Sequence, residues 1–175
     1  MRRHFTDRRG RAIVIRPAEA GDAAGLLRLS NDIRAEGVYY VAEEPRLSVE
    51  EYSEYLQALD KDRNLVLAAC DDTRIVGTIT AISGYLRKTR HVAELGIGIA
   101  AGYRNAGIGA ALLATAIDWC RGRGFIRLEL SVFASNERAI ALYRRFGFCE
   151  EGRRRAKYAI DGRYVDEVLM GRLLE

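Results

Sequence analysis

The chain has 175 residues, of which 49% are hydrophobic and 30% charged. That is enough for one domain with a sizeable core, and too apolar for a disordered polyelectrolyte. The longest uncharged run, Asn105 to Ile117, is well short of the roughly 18 apolar residues that mark a membrane span, which argues against a membrane partner.

Net charge is +4, and five arginines crowd into residues 1–11, MRRHFTDRRGR. This stretch reads as a solvated, frayed tail, with residues 12–175 as a single domain. No nucleic-acid motif accompanies the arginines, so nucleic acid is not expected as a partner. The N-terminus has no apolar stretch of the kind a signal peptide carries. Cys70, Cys120 and Cys149 lack metal or redox spacing, so no metal is expected. All three read as core or near-core residues, which fits a reducing, cytoplasmic setting.

AIVIR (12–16) reads as a short strand stopped by Pro17. Asp22 can cap a helix with Leu26, Leu27, Leu29 and Ile33 on its apolar face. EGVYYVAEEPRL, from 36 onward, lacks periodicity and reads as a loop. Ser48 and Glu51 form a capping box ahead of a second helix carrying Tyr52, Tyr55, Leu56 and Leu59. LVLAAC (65–70) and IVGTITAISGYL (75–86) read as a hairpin across DDTR. HVAELGIGIA (91–100) is a strand with Leu95, Ile97 and Ile99 on one face and Glu94, Gly96 and Gly98 on the other.

GYRNAGIGAALL (102–113) then leads into a helix from about 107 to 123. IRLELSV (126–132) is a strand. Residues 136–146 are helical, ended by Gly147. Two strands around Asp161-Gly162 close the chain. The order is β-α-α-β-β-β-α-β-α-β-β. It implies an α/β (α+β) fold: a mixed sheet of about seven strands with helices on both faces.

A glycine-rich turn opening a helix offers unpaired N–H groups and a positive dipole end to a phosphate. Gly102 and Gly107 have Walker A spacing, but Ile108 and Gly109 replace its Lys and Ser/Thr. Gly107 and Gly109 begin a dinucleotide fingerprint, but Leu112 occupies the third glycine position. Arg104-x-x-Gly107-x-Gly109 instead resembles the [QR]-x-x-G-x-[GA] signature of the GNAT superfamily of acetyl-CoA-dependent N-acetyltransferases. Further on, Asn136, Ala139, Leu142, Tyr143, Arg145, Gly147 and Phe148 resemble that superfamily's N-x-x-[AS]-x-x-[LF]-Y-x-[KR]-x-G-F segment. The flanking RHVAELGIG and EEGRRRAKYAIDGRYVDEVLM are similar to bacterial amino-acid and ribosomal-protein N-acetyltransferases.

The resemblance implies a mostly antiparallel, splayed sheet, with acetyl-CoA wedged between strands 91–100 and 126–132. It implies that Arg104, Asn105, Ala106, Gly107, Ile108, Gly109 and Ala110 hold the pyrophosphate. Ile97, Gly98 and Ile99 would pair with the pantetheine arm, one N–H there stabilising an oxyanion. Asn136 would hydrogen-bond the same arm, and Tyr143 would protonate the departing thiolate.

An acceptor amine with a pKa near 10 needs a base or a water relay. Glu94, inside an apolar strand, is the best candidate, with burial expected to raise its pKa; His91 is a weaker one. Tyr39, Tyr40, Glu43 and Glu44 lie where the superfamily lines its acceptor site. The acceptor would be a small-molecule or peptide amine. The superfamily also often forms homodimers. A non-catalytic acyl-CoA-binding module on the same scaffold is the alternative.

Overall fold

Eight strands form one sheet in the order β1-β2-β3-β4-β5-β6-β8-β7. The computed structural model describes residues 1–39 and 47–174. The strands are β1 (Arg3–Thr6), β2 (Ala12–Pro17), β3 (Asn64–Asp71), β4 (Arg74–Ser83), β5 (Val92–Ile99), β6 (Arg127–Phe133), β7 (Cys149–Ile160) and β8 (Arg163–Leu173). The helices are α1 (Ala23–Arg34), α2 (Val49–Ala58), α3 (Ile108–Gly122) and α4 (Glu137–Arg145). All neighbouring strands are antiparallel except β5 and β6. The elements expected from periodicity are present. The strand count rises to eight because β1 pairs with β2, Phe5 opposite Ile13. The arginine-rich start of the chain is therefore a sheet edge and not a frayed tail.

Alternation along the strands builds two cores. One face of β3–β6 packs with α3 and α4 around Leu67, Ile79, Leu95, Leu112, Leu113 and Leu128. The other packs Val66, Ala68 and Cys70 under α1 and α2. Leu112 and Leu113 are fully buried, and each such side chain contributes about 1.5–3 kcal/mol of burial. The capping box at Ser48 and Glu51 forms as its spacing predicts. Asp22 differs from expectation: it makes no side-chain cap on α1, and its carboxylate instead accepts from both arms of Arg16 at 2.6 and 2.8 Å and from the Glu19 N–H at 2.8 Å. Cys70 and Cys120 are buried, but Cys149 is exposed at the start of β7. Among the described residues no helix is long and apolar enough to cross a membrane, and no group of side chains could hold a metal ion.

The feature that positions a site is a fork in the sheet. β5 and β6 pair only at Val92–Arg127, Ala93–Leu128 and Glu94–Glu129. Beyond Glu94 the two strands part.

Candidate active site

The fork opens a cleft of about 680 Å³. Its first wall is the free edge of β5. The Ala100 N–H bonds Val76 and the Val92 carbonyl accepts from Gly84, so even-numbered backbone groups face β4. By alternation, Ile97 and Ile99 turn their N–H and C=O groups toward the gap. Gly98, between them, faces β4, so only two of the three expected backbone positions offer edge groups.

The second wall is the turn into α3. Gly107 is left-handed at φ +95°, the helix N-cap, and Asn105 is left-handed at +62°. The first helical bond runs from Ala111 to Gly107, so Ile108, Gly109 and Ala110 N–H groups have no intrahelical acceptor. A Cβ on Gly109 would lie 3.4 Å from a Leu142 methyl, in van der Waals contact, so α4 packs directly over the turn. Ala106 is buried beneath it.

Arg104 departs from its expected role. Its guanidinium donates to Glu36 through both arms, at 2.5 and 2.6 Å, and to the Ile99 carbonyl at 3.0 Å. It also stacks on Tyr39 at 4.6 Å. The charge predicted to meet a phosphate is neutralised by a carboxylate and braces the end of α1 against the turn.

From α4, Tyr143 enters the cleft from the α3 side, only 6% exposed and packed on Phe148. Asn136 also lines the cleft, but its Oδ1 caps α4 by accepting from the Ala139 N–H at 3.2 Å. That leaves its Nδ2 without a hydrogen bond among the described residues.

The opposite side of the cleft is built from β4, β6, β7 and β8. Thr78 and Thr80 stand opposite Gly98 and Gly96, with Tyr52 and Tyr39 nearby from the α1–α2 side. Ser131, Phe133, Tyr158 and Glu167 form the far end. Glu167 is 4% exposed. Its carboxylate accepts from Tyr158 and Arg154, each at 2.7 Å. Burial opposes its charge, but these bonds and one from Ser131 outweigh that and hold its pKa below the usual carboxylate range. Tyr158 is pushed up to about 12 by burial and by Glu167, so its proton is committed there.

Glu94 is exposed and does not line the cleft. The burial expected to tune it is missing, because its side of β5 lies beyond α1 and α2. It does occupy the last paired position before the fork, on the same sheet face as Thr80 and Gly96. His91 is exposed at the far, paired end of β5. Tyr40, Glu43 and Glu44 lie outside the described residues. Sequence reading missed Thr78, Thr80, Ser131, Tyr158 and Glu167. Only Glu167 carried a signal, as an acid at an inward position of an alternating strand.

This forked sheet, with a phosphate-type turn on one branch, defines the acetyltransferase (GNAT) fold. The family model matches residues 18–148, and the chain belongs to that family, whose acetyl donor is acetyl-CoA. Its similarity to an L-amino acid N-acetyltransferase of Escherichia coli is 37% identity over 109 residues, 61% of this chain and 67% of the relative. A GNAT-family acetyltransferase structure from Streptococcus pneumoniae superposes with TM-score 0.87 at 32% identity, covering 93% of this chain and 99% of that one. A phosphinothricin acetyltransferase from Sinorhizobium meliloti, solved with acetyl-CoA, gives TM-score 0.84 at 25% identity, covering 97% and 89%.

Proposed function

We propose that the protein transfers an acetyl group from acetyl-CoA to a primary amine by direct attack, with both substrates bound. The acceptor is an amino acid, a polyamine, another small amine or a peptide N-terminus. The observation that carries this reading is the fork: one cleft joins the open α3 turn and free β5 edge to a separate polar and aromatic wall. An amine on that wall reaches the fork from the side opposite Tyr143.

The residues fit the coenzyme. The free N–H groups of Ile108, Gly109 and Ala110 suit a pyrophosphate. The Ile97 N–H and C=O and the Ile99 N–H suit the amides of an extended arm, the Ile99 carbonyl being taken by Arg104, and the Asn136 Nδ2 is free to donate to it. When bound, acetyl-CoA supplies the acetyl group as a thioester. Tyr143 donates its phenol proton to the sulfur that leaves. Tyr158, another phenol in the cleft, gives its O–H to Glu167. Glu94, at the fork and open to solvent, takes the amine proton through water. The Thr78 hydroxyl donates to the Leu67 carbonyl at 2.9 Å and Ser131 donates to Glu167, so these oxygens, with that of Thr80, meet the acceptor's N–H groups as hydrogen-bond acceptors, while Arg154 balances the Glu167 charge at that end.

The test is thiol release from acetyl-CoA across amino acids, polyamines and peptides, with mass spectrometry of the products. Amine-dependent release with an N-acetylated product is expected. Tight coenzyme binding with no acetylation of any amine would favour the non-catalytic module instead.

A further inference from the structure

β1 and β2 form a hairpin whose turn, residues 7–11, is clamped onto the α3 turn. Asp7 sits at its tip, 5% exposed. Its carboxylate accepts from the N–H groups of Arg9 and Arg11 at 2.8 and 3.0 Å and from the Arg11 side chain at 2.8 Å. Burial opposes that charge, but the bonds from Arg11 and Arg9 hold the pKa of Asp7 below its usual value. Arg9 and Arg11 both donate to the Gly102 carbonyl, at 3.0 and 3.2 Å. Arg11 also lies over the Tyr103 ring at 3.9 Å. The Arg8 N–H donates to the Ala106 carbonyl at 3.0 Å.

These contacts fix where Arg8 stands. Its neighbours Arg9 and Arg11 are consumed in the clamp, yet Arg8 is exposed and lines the cleft beside Asn105 and Gly107. Its guanidinium has no ion pair among the described residues. Arg104, the charge that the turn itself carries, is neutralised by Glu36. The turn thus lacks a free cation of its own, and the hairpin delivers one to it.

We propose that this hairpin, which lies outside the matched family segment, is part of the coenzyme site, and that Arg8 binds a phosphate of the coenzyme. The inference rests on the coenzyme reading above. A guanidinium matches phosphate geometry through two parallel N–H bonds. The rigid clamp means that little ordering accompanies the contact. Both the pyrophosphate and the ribose 3′-phosphate offer the same chemistry.

The test is titration calorimetry on the full chain with three ligands: CoA, dephospho-CoA and S-acetylpantetheine, which carries no phosphate. The variants are Arg8→Ala, Arg8→Glu and, as a control, Arg3→Ala, an exposed arginine of the same hairpin that does not line the cleft. Arg8→Ala is expected to weaken CoA about tenfold, with Arg8→Glu weakening it further. Arg3→Ala and all S-acetylpantetheine affinities stay at wild-type values. The slope of log affinity against log salt should become shallower in Arg8→Ala. A loss for CoA alone assigns the 3′-phosphate; an equal loss for dephospho-CoA assigns the pyrophosphate; either supports the proposal. Unchanged CoA affinity in both Arg8 variants overturns it, as does equal weakening of S-acetylpantetheine. If the wild-type chain binds no CoA, the coenzyme reading itself fails.

Discussion

The two halves of the cleft are built in different ways. The frame of the coenzyme half is local: β5, the turn and α3 are consecutive in the chain and offer mostly backbone groups, to which α4 and the N-terminal hairpin add Asn136, Tyr143 and Arg8. The acceptor half is assembled from α1, α2, β4, β6, β7 and β8, and its useful groups are side chains. A backbone site tolerates sequence change as long as the turn geometry survives. A side-chain site can be altered one residue at a time without disturbing the fold. That contrast explains how one scaffold can keep its donor while changing its acceptor.

Substitutions should separate the halves. The largest effect belongs to Tyr143→Phe, which removes the proposed proton donor and leaves the ring packed on Phe148. Steady-state kinetics should show kcat falling about a hundredfold or more, while calorimetry finds coenzyme affinity unchanged. A near-normal kcat would move the acid role elsewhere.

Next comes Gly107→Ala. A side chain at φ +95° costs about 1–3 kcal/mol, although the space around it is open. The melting temperature and coenzyme affinity should both fall, affinity by about tenfold, with the acceptor KM little changed.

Glu94→Gln should lower kcat/KM about tenfold near neutral pH. The deficit should shrink as pH rises toward the amine pKa of about 10, where the acceptor needs no base. A deficit independent of pH would exclude the water-relay role. Thr80→Val should raise the acceptor KM a few-fold and leave coenzyme binding intact; the reverse pattern would mean that the halves are misassigned.

The smallest effect is on stability in acid. The pKa of Asp7 is lowered in the folded state. Its contribution is therefore complete above its unfolded value of about 3.9 and is lost as pH falls through the depressed folded value. The melting-temperature gap between wild type and Asp7→Asn should be constant above about pH 5 and close below that. A gap that persists in strong acid would mean that the hairpin does not depend on this charge.

The same contrast decides what could be read without coordinates. The turn was legible because its signals are contiguous: Arg104, left-handed Gly107 and Gly109 lie together in the chain just before the apolar face of α3. The strands and helices were legible from their periodicity. The acceptor wall was not, because Thr80, Ser131 and Glu167 meet only through strand order. Glu94 was placed on the correct face, but its burial depends on where α1 and α2 end. Arg104 was read as a phosphate ligand because Glu36 is distant in sequence. The N-terminal hairpin was misread from composition. RHFT carries a single buried-type residue, Phe5, and becomes a strand only because β2 offers a free edge.

Amide hydrogen exchange, measured residue by residue with and without acetyl-CoA, tests the central claim most directly. The account predicts slowed exchange at Ile97, Ile99, Ile108, Gly109 and Ala110, with Thr78 and Thr80 unaffected until an amine acceptor is added. Protection that spares the β5 edge and the α3 turn, and appears elsewhere in the chain, would contradict it.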